Sequence, residues 1–225
     1  MIVTIDGPAG TGKSTVARIL AERLGFEFLN TGAMYRAVAY ACLQRQVELA
    51  NTTAVGDLAG TLEILFSNNH LLLNGLDVTE AIRGQEVTQS ASIVAANPIV
   101  RKRLVELQRQ VGQGGNLVTE GRDQGTTVFP DAECKFFLTA SPAERALRRQ
   151  RELNAKGDAI SLDELLQQQE LRDRRDESRA CSPLKPADDA LQVDTTEMSL
   201  DQVAAHLERL VQRAKAELDA SFQRR

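Results

Sequence analysis

The sequence predicts an α/β fold, a parallel sheet covered by helices, with an inserted subdomain containing a small antiparallel sheet and with a short lid. Three observations predict it. Apolar runs of strand length alternate with helix-periodic stretches toward both ends of the chain. The first run leads directly into a glycine-rich turn and then a helix, the order a phosphate cradle requires. In the middle the alternation stops, and an Asn-Gly dipeptide separates two short apolar runs, the strongest local signal for a hairpin.

Taken in order, residues 2–5 (IVTI) form the first strand. Residues 7–14 read GPAGTGKS, a complete GxxxxGKS loop, and 15–24 continue with helical periodicity, which assigns a P-loop NTPase fold. Glycines let successive N–H groups turn inward around phosphate oxygens, and the helix N-terminus adds partial positive charge. Gly7, Pro8, Ala9, Gly10, Thr11, Gly12, Lys13, Ser14 and Thr15 are therefore expected to hold a nucleoside triphosphate, with Lys13 at the β/γ-phosphates and Ser14 on Mg²⁺. A chance match in a tight strand-to-helix connection is the alternative, and eight matching positions with the correct flanks count against it.

Residues 26–29 form a second short run that ends at Asn30-Thr31-Gly32, a strand end and helix cap, and 34–43 are helix-periodic. Runs at 62–66, 71–73 and 76–78 are separated by Ser67-Asn68-Asn69-His70 and by Asn74-Gly75, and read as an antiparallel meander. Helices follow on either side of Asn97-Pro98. Residues about 43–112 thus form an insertion that binds a second substrate and closes to exclude water. Strands at 117–119, 136–138 and 191–193 precede Glu120-Gly121-Arg122-Asp123, Ser141-Pro142 and Asp194-Thr195, releasing polar residues into the crevice at the carboxyl ends of the sheet.

Residues 148–160 carry Arg148, Arg149 and Arg151, then a polar break at Asn154-Ala155-Lys156-Gly157-Asp158, and Ser161-Leu162-Asp163-Glu164 has capping-box form. This is a lid followed by a helix at 161–175; the alternative is an ordinary helix hairpin with solvent-facing arginines. The core is 1–42, 113–147 and 176–225 of a single domain. Residues 199–218 form an amphipathic packing helix through Leu200, Val203, Leu207, Leu210 and Val211, and 216–225 fray.

At 225 residues with net charge −4 and pI near 5.4, the chain is not a whole-surface polyanion binder, so attraction for phosphate must be local. Arginines cluster at 145–151 and 172–179, and their planar forks suit phosphate, although a solvated helix face would look the same. Cys42, Cys134 and Cys181 form no CxxC pair and suggest neither disulfides nor zinc. His70 and His206 lack partners at ligand spacing. With no signal region and no apolar stretch of membrane length, the chain reads as soluble and cytoplasmic, with no membrane or nucleic-acid-polymer partner. No long apolar seam is present, so a monomer is expected.

Several segments in combination resemble the bacterial cytidylate kinases: VTIDGPAGTGKST at residues 3–15, Asn30-Thr31-Gly32-Ala33-Met34-Tyr35-Arg36, Glu120-Gly121-Arg122-Asp123-Gln124-Gly125-Thr126, Val128-Phe129-Pro130-Asp131, and 172–179 (RDRRDESR). The likeness runs over about residues 1–211. It implies a nucleoside monophosphate kinase fold and Mg²⁺-dependent transfer of the ATP γ-phosphoryl group to CMP or dCMP. It implies that Thr31, Tyr35, Arg36, Arg122 and Arg179 receive the acceptor phosphate and that Ser92, Arg101 and Asp123 read cytosine, a carboxylate accepting from the exocyclic amine and a guanidinium facing the ring acceptors. Arg172, Asp176 and Arg179, spaced i, i+4 and i+7, share a helical face that meets the acceptor's sugar and phosphate; an intrahelical ion-pair ladder has the same spacing.

Lys13, Arg122, Arg179 and a lid arginine, Arg148 in first place with Arg145 and Arg149 as alternatives, are expected to carry the chemistry, with no essential His or Cys. Asn30 stands where many relatives have aspartate, and Glu120 is the candidate to replace that carboxylate near Mg²⁺. Rival readings are a kinase for UMP or a shikimate-like acid, and a non-catalytic ATP sensor. A GTPase switch is disfavoured, because 154–158 has the wrong spacing for NKxD and Asp57-Leu58-Ala59-Gly60, although it fits DxxG, does not end a strand.

Overall fold

Strand β1 (Ile2–Asp6) is buried along almost its whole length, as expected of a run of apolar and β-branched residues flanked by strands on both sides. The computed structural model that contains it describes residues 1–67, 70–155, 157 and 160–222. The chain divides into two units, residues 1–28 with 115–225, and residues 29–114.

The first unit is the parallel α/β layer. After β1 come α1 (Lys13–Leu24) and β2 (Glu27–Asn30), within which the chain passes to the second unit. On its return it forms β6 (Leu117–Gly121), β7 (Cys134–Thr139), α6 (Pro142–Asn154), α7 (Leu162–Glu177), β8 (Leu191–Asp194) and α8 (Leu200–Phe222). Sheet order is β2-β6-β1-β7-β8, and β1 runs parallel to both β6 and β7. The register pairs Ile5 with Glu120 and Asp6 with Gly121, so the polar ends of β1 and β6 lie side by side.

Val3, Ile5, Val16, Leu20, Val118, Phe136, Leu138, Val203 and Leu207 form the core of this unit. Burying each of the larger ones contributes about 2 kcal/mol relative to exposure. Helix α8 packs through Val203, Leu207 and Val211, the stripe its periodicity predicts. Ala146, Leu153 and Leu165, with Ile160, Leu162 and Leu166 beside them, hold α6 against α7.

The second unit holds α2 (Thr31–Gln44), α3 (Thr52–Thr61), the antiparallel strands β3 (Ile64–Ser67), β4 (His70–Leu73) and β5 (Leu76–Asp77), a 3₁₀ turn at Ala81–Arg83, α4 (Gln85–Val94) and α5 (Pro98–Gly112). Asn74 and Gly75 turn β4 into β5 with φ of 50° and 79°, the left-handed pair a type I′ turn demands. Asn97 caps α5 by accepting from the N–H groups of Ile99 and Val100, and Pro98 occupies the first helical turn.

Sequence and structure differ at four places. Helix α1 begins at Lys13, earlier than its apolar periodicity indicates, whereas α2 begins at Thr31 behind the Asn30 cap as expected. Helix α3 is absent from the sequence reading; Asn51 caps it, its Oδ1 accepting from the Ala54 N–H at 3.0 Å, and it contains the Asp57–Gly60 segment that fits DxxG. A π-helical turn at Gln124–Val128 follows β6. Helix α7 ends at Glu177, so Arg179 lies beyond it rather than on one helical face with Arg172 and Asp176. Asn68 and Asn69 of the first hairpin turn, Lys156, Asp158 and Ala159 of the lid tip, and the last three residues lie outside the described residues.

Candidate active site

In the first unit the chain leaves β1 at Asp6 and enters the loop at Gly7. Gly7, Gly10 and Gly12 have φ of 144°, 82° and 86°, values that side-chain-bearing residues adopt only with strain. At Gly7 space forbids a side chain as well, because a Cβ would lie 2.1 Å from the Leu138 carbonyl oxygen. Gly12 is the left-handed N-cap of α1, which leaves the helix's first N–H groups without a side-chain cap. Free N–H groups at a helix start are what a phosphate cradle uses.

Lys13 is buried within this loop, its Nζ donating to the Pro8 carbonyl at 2.5 Å and reaching Thr11 Oγ1 at 3.4 Å. Burial, and then the charges of Arg122 and Arg172, hold its pKa well below the usual lysine value. A cation kept so close to other cations is poised to gain from an incoming polyanion. The Ser14 hydroxyl donates to Glu120 Oε1 at 2.9 Å. Two hard oxygen donors side by side next to a phosphate loop fit Mg²⁺, which takes one or two protein oxygens and completes its shell with water and phosphate. Among the described residues no group of three or more His, Cys, Asp or Glu converges as a metal cluster.

The arginines form an ordered network. Arg122 Nε donates to Asp176 Oδ2 at 2.8 Å, and Arg179 donates to the other oxygen of the same carboxylate. Burial pushes the Asp176 carboxyl up, but Arg122 and Arg179 outweigh it and hold its pKa below the ordinary 3.8. Burial likewise works against the Arg122 charge, and Asp176 with Glu120 and Asp173 overcomes it. Arg172 is close enough to Lys13 to depress it.

Of the three arginines expected to serve a lid, Arg145 is the one bonded to the loop: it is buried, donates from Nη1 to the Ala9 carbonyl at 3.0 Å and pairs with Asp173 at 2.7 Å. Arg148 instead pairs with Glu144 at 2.9 Å and donates to the Thr195 hydroxyl and carbonyl at 3.2 and 2.6 Å. The Thr195 hydroxyl lies 2.9 Å from the Thr139 carbonyl and 3.4 Å from that of Thr11, so Arg148 reaches the loop only through Thr195. Arg149 pairs with Glu152 on the same helix.

Asp123 is buried at the end of β6, followed by the π turn whose Thr127 and Val128 N–H groups donate to its carbonyl. Asp6, given no role in the sequence reading, is also buried, and burial pushes its pKa up to about 7 despite two backbone hydrogen bonds. Its one sequence signal is a carboxylate immediately before the glycine loop. The Arg145–Asp173 pair left no usable signal, since nothing local ties it to the loop, and Thr195 was legible only as a polar residue at a strand end.

The second unit carries the remaining residues. Thr31 opens α2, with Tyr35 one turn later and Arg36 beside it. Asn30 caps this helix, its Oδ1 accepting from the Ala33 N–H at 2.9 Å. Arg101 on α5 is buried, donates to the Ala95 carbonyl at 3.2 Å and stands over the Tyr35 ring at 5.6 Å, a cation–π contact. Ser92 on α4 is buried, and its hydroxyl has no hydrogen-bond partner among the described residues.

The sequence profile of the family described as cytidylate kinase matches residues 3–213. A cytidylate kinase of Rhodopirellula baltica is 46% identical over 211 residues, 94% of this chain and 92% of its own length. One from Stutzerimonas stutzeri is 48% identical over 208 residues, 90% and 91% of the two chains. One from Mycobacterium leprae is 49% identical over 212 residues, 94% and 95% of the two. Among solved structures, an uncharacterized protein from Eubacterium ventriosum superposes with a TM-score of 0.51 at 12% identity, over 95% of this chain and 98% of that one, a likeness of fold alone.

Proposed function

The chain belongs to the cytidylate kinase family, and from that premise we propose that it transfers the γ-phosphoryl group of ATP to CMP or dCMP, releasing ADP and CDP or dCDP. The observation that carries this reading to the level of chemistry is the cluster at the end of β1 and β6, where buried Lys13 sits within the field of Arg122 and Arg172. A neutral ligand gains nothing from such crowding, whereas two phosphate tails do.

The acceptor's phosphate is already an anion, so it attacks without a general base. Its oxygen forms a bond to the γ-phosphorus as the bond to the β–γ bridging oxygen breaks, and that electron pair leaves on ADP. Most of the acceleration comes from holding the reactants in line and neutralising charge on the moving group. Lys13 and the loop N–H groups serve the β- and γ-phosphates. Ser14, with Glu120 behind it, holds Mg²⁺, which neutralises phosphate charge when bound with ATP.

Arg122 and Arg179 take the acceptor phosphate together with Thr31, Tyr35 and Arg36. Asp176, which pairs with both arginines, then has a carboxylate oxygen to offer the sugar hydroxyl. Arg145 is favoured as the lid arginine by its direct bond to the loop, and Arg148 supports the loop through Thr195. Residues about 43–112 supply acceptor binding, the α6–α7 hairpin acts as lid, and the protein works as a monomer.

Cytosine is read by Asp123, Arg101 and Ser92. Uracil has a carbonyl where cytosine has its amine, so it would set acceptor against acceptor at Asp123 and leave both unpaired. The unpartnered Ser92 hydroxyl supports a ligand-facing role for that residue.

An ADP-release assay with CMP, dCMP, UMP, AMP and shikimate offered in turn tests the reading. CMP and dCMP should be used far better than the rest. Equal use of UMP would remove the Asp123 assignment, and absence of turnover with every acceptor would make the protein an ATP sensor.

A further inference from the structure

Asp6 closes β1 one residue before the phosphate loop, and both of its carboxylate oxygens are hydrogen-bonded outside that loop. Its Oδ1 accepts the Gln124 N–H at 2.9 Å and its Oδ2 accepts the Gly125 N–H at 2.8 Å, capturing two successive amides of a segment 118 and 119 residues away. A carboxylate with 5% exposure is costly to bury, and a turn whose only task were to connect β6 to β7 would not require one. The captured amides are the first two after Asp123.

The rest of the turn is held as firmly. The Thr119 hydroxyl donates to Gln124 Oε1 at 2.9 Å, fixing that side chain. A Cβ on Gly125 would lie 3.0 Å from Thr4 Oγ1 and 3.3 Å from Lys135 Cδ, so the segment has no slack toward the sheet. Thr127 and Val128 donate back to the Asp123 carbonyl at 2.9 and 3.2 Å, and Phe129 to that of Gln124 at 2.7 Å. Asp123 is thus the residue that leads into a π turn whose first two amides are pinned to the strand that feeds the phosphate loop.

We propose that Asp6 is a positioning residue that sets the cytosine-reading carboxylate of Asp123 at a fixed distance from the phosphate loop, and so contributes to the choice of CMP over UMP. The inference rests on the reading of Asp123 given above. Its physical content is registration: a reader displaced by an ångström loses the contact that separates an amine from a carbonyl, and such displacements cost about 10²-fold in a positioned reaction. Asparagine at position 6 keeps the shape but offers one acceptor where two amides donate, turning an N–H toward an N–H at under 3 Å.

The experiment compares Asp6→Asn, Asp123→Asn, the double variant and the wild type, measuring kcat and KM for CMP, UMP and ATP at pH 8 together with Tm. Asp6→Asn should lower the CMP/UMP ratio of kcat/KM by about tenfold or more while leaving KM for ATP within about twofold. The double variant should discriminate no worse than Asp123→Asn alone, because Asp6 acts through Asp123. A lower Tm with an unchanged CMP/UMP ratio would make Asp6 a structural residue and overturn the proposal. A raised KM for ATP with that ratio intact would move its role to the donor loop and overturn it equally.

If Asp123→Asn itself leaves the ratio untouched, the base-reading assignment fails, an outcome distinct from failure of Asp6 alone. Should Asp6→Asn not fold, Thr119→Val removes the other anchor of the same turn at nearly constant volume. A reduced ratio in that variant supports the proposal, and an unchanged one overturns it.

Discussion

Lys13 owes its character to its neighbours. Its ammonium is buried within the loop, and burial with the charges of Arg122 and Arg172 outweighs Glu120 and Asp6, so its positive charge is held at a cost that an incoming polyanion relieves. Lys13→Ala is expected to lower kcat by about 10²- to 10³-fold, the loss typical of a group aimed at developing charge. Steady-state turnover with saturating CMP measures it. Glu120 makes a separate claim through its 2.9 Å bond with Ser14. Glu120→Gln should shift the Mg²⁺ concentration for half-maximal activity upward, and a magnesium titration that leaves this midpoint in place removes Glu120 from the metal site. Asp176 joins Arg122 to Arg179 from a nearly fully buried position. Asp176→Asn should destabilise by about 3 kcal/mol in denaturant unfolding, because one partner of a buried ion network is removed.

The sign of the Asp176 pH dependence follows from its lowered pKa. The folded state releases this proton more readily than the unfolded chain, so the ion pairs contribute fully above about pH 4 and are lost as pH falls through the folded value. The stability difference between wild type and Asp176→Asn should therefore be flat above about pH 5 and shrink below about pH 4. A difference that grew on acidification would contradict the pairing.

Among the elements, those the sequence announced are the ones whose signal is local. Strands β1, β6 and β7 each contain a short apolar stretch of strand length, and Asn74-Gly75 and Asn97-Pro98 carry their turn and cap chemistry in two residues each. Helix α3 was silent because TTAVGDLAGT is rich in threonine and glycine, poor helix formers; it forms because Val55, Leu58 and Ala59 are buried and Gly56 lets Ile99 approach, a Cβ there lying 2.6 Å from that side chain. The π turn was silent for a different reason, since its amides are held by an aspartate at the far end of the chain. Of the candidate site, the loop glycines, Lys13 and Ser14 were legible from spacing. The Arg145–Asp173 pair was not, because tertiary structure alone joins them. The cap of α2 gives an element-scale test: Asn30→Ala should cost about 1 kcal/mol in denaturant unfolding, and Asn30→Asp should restore most of it.

At the scale of the whole molecule, a chain of net charge −4 nevertheless gathers Lys13, Arg122 and Arg172 within one another's field, beside the carboxyl ends of parallel strands where a phosphate site is proposed. One unit holds the donor loop with Arg122, Asp123 and Asp176, and the other holds Thr31, Tyr35, Ser92 and Arg101. Among the described residues no helix is long and apolar enough to cross a membrane. Phosphorus NMR of the purified protein mixed with ATP, CMP and Mg²⁺ tests the central claim most directly. Loss of the ATP γ signal should be matched one for one by CDP, with no inorganic phosphate accumulating and no ATP loss when CMP is omitted. ATP consumption that yields inorganic phosphate at the same rate with and without CMP would contradict it.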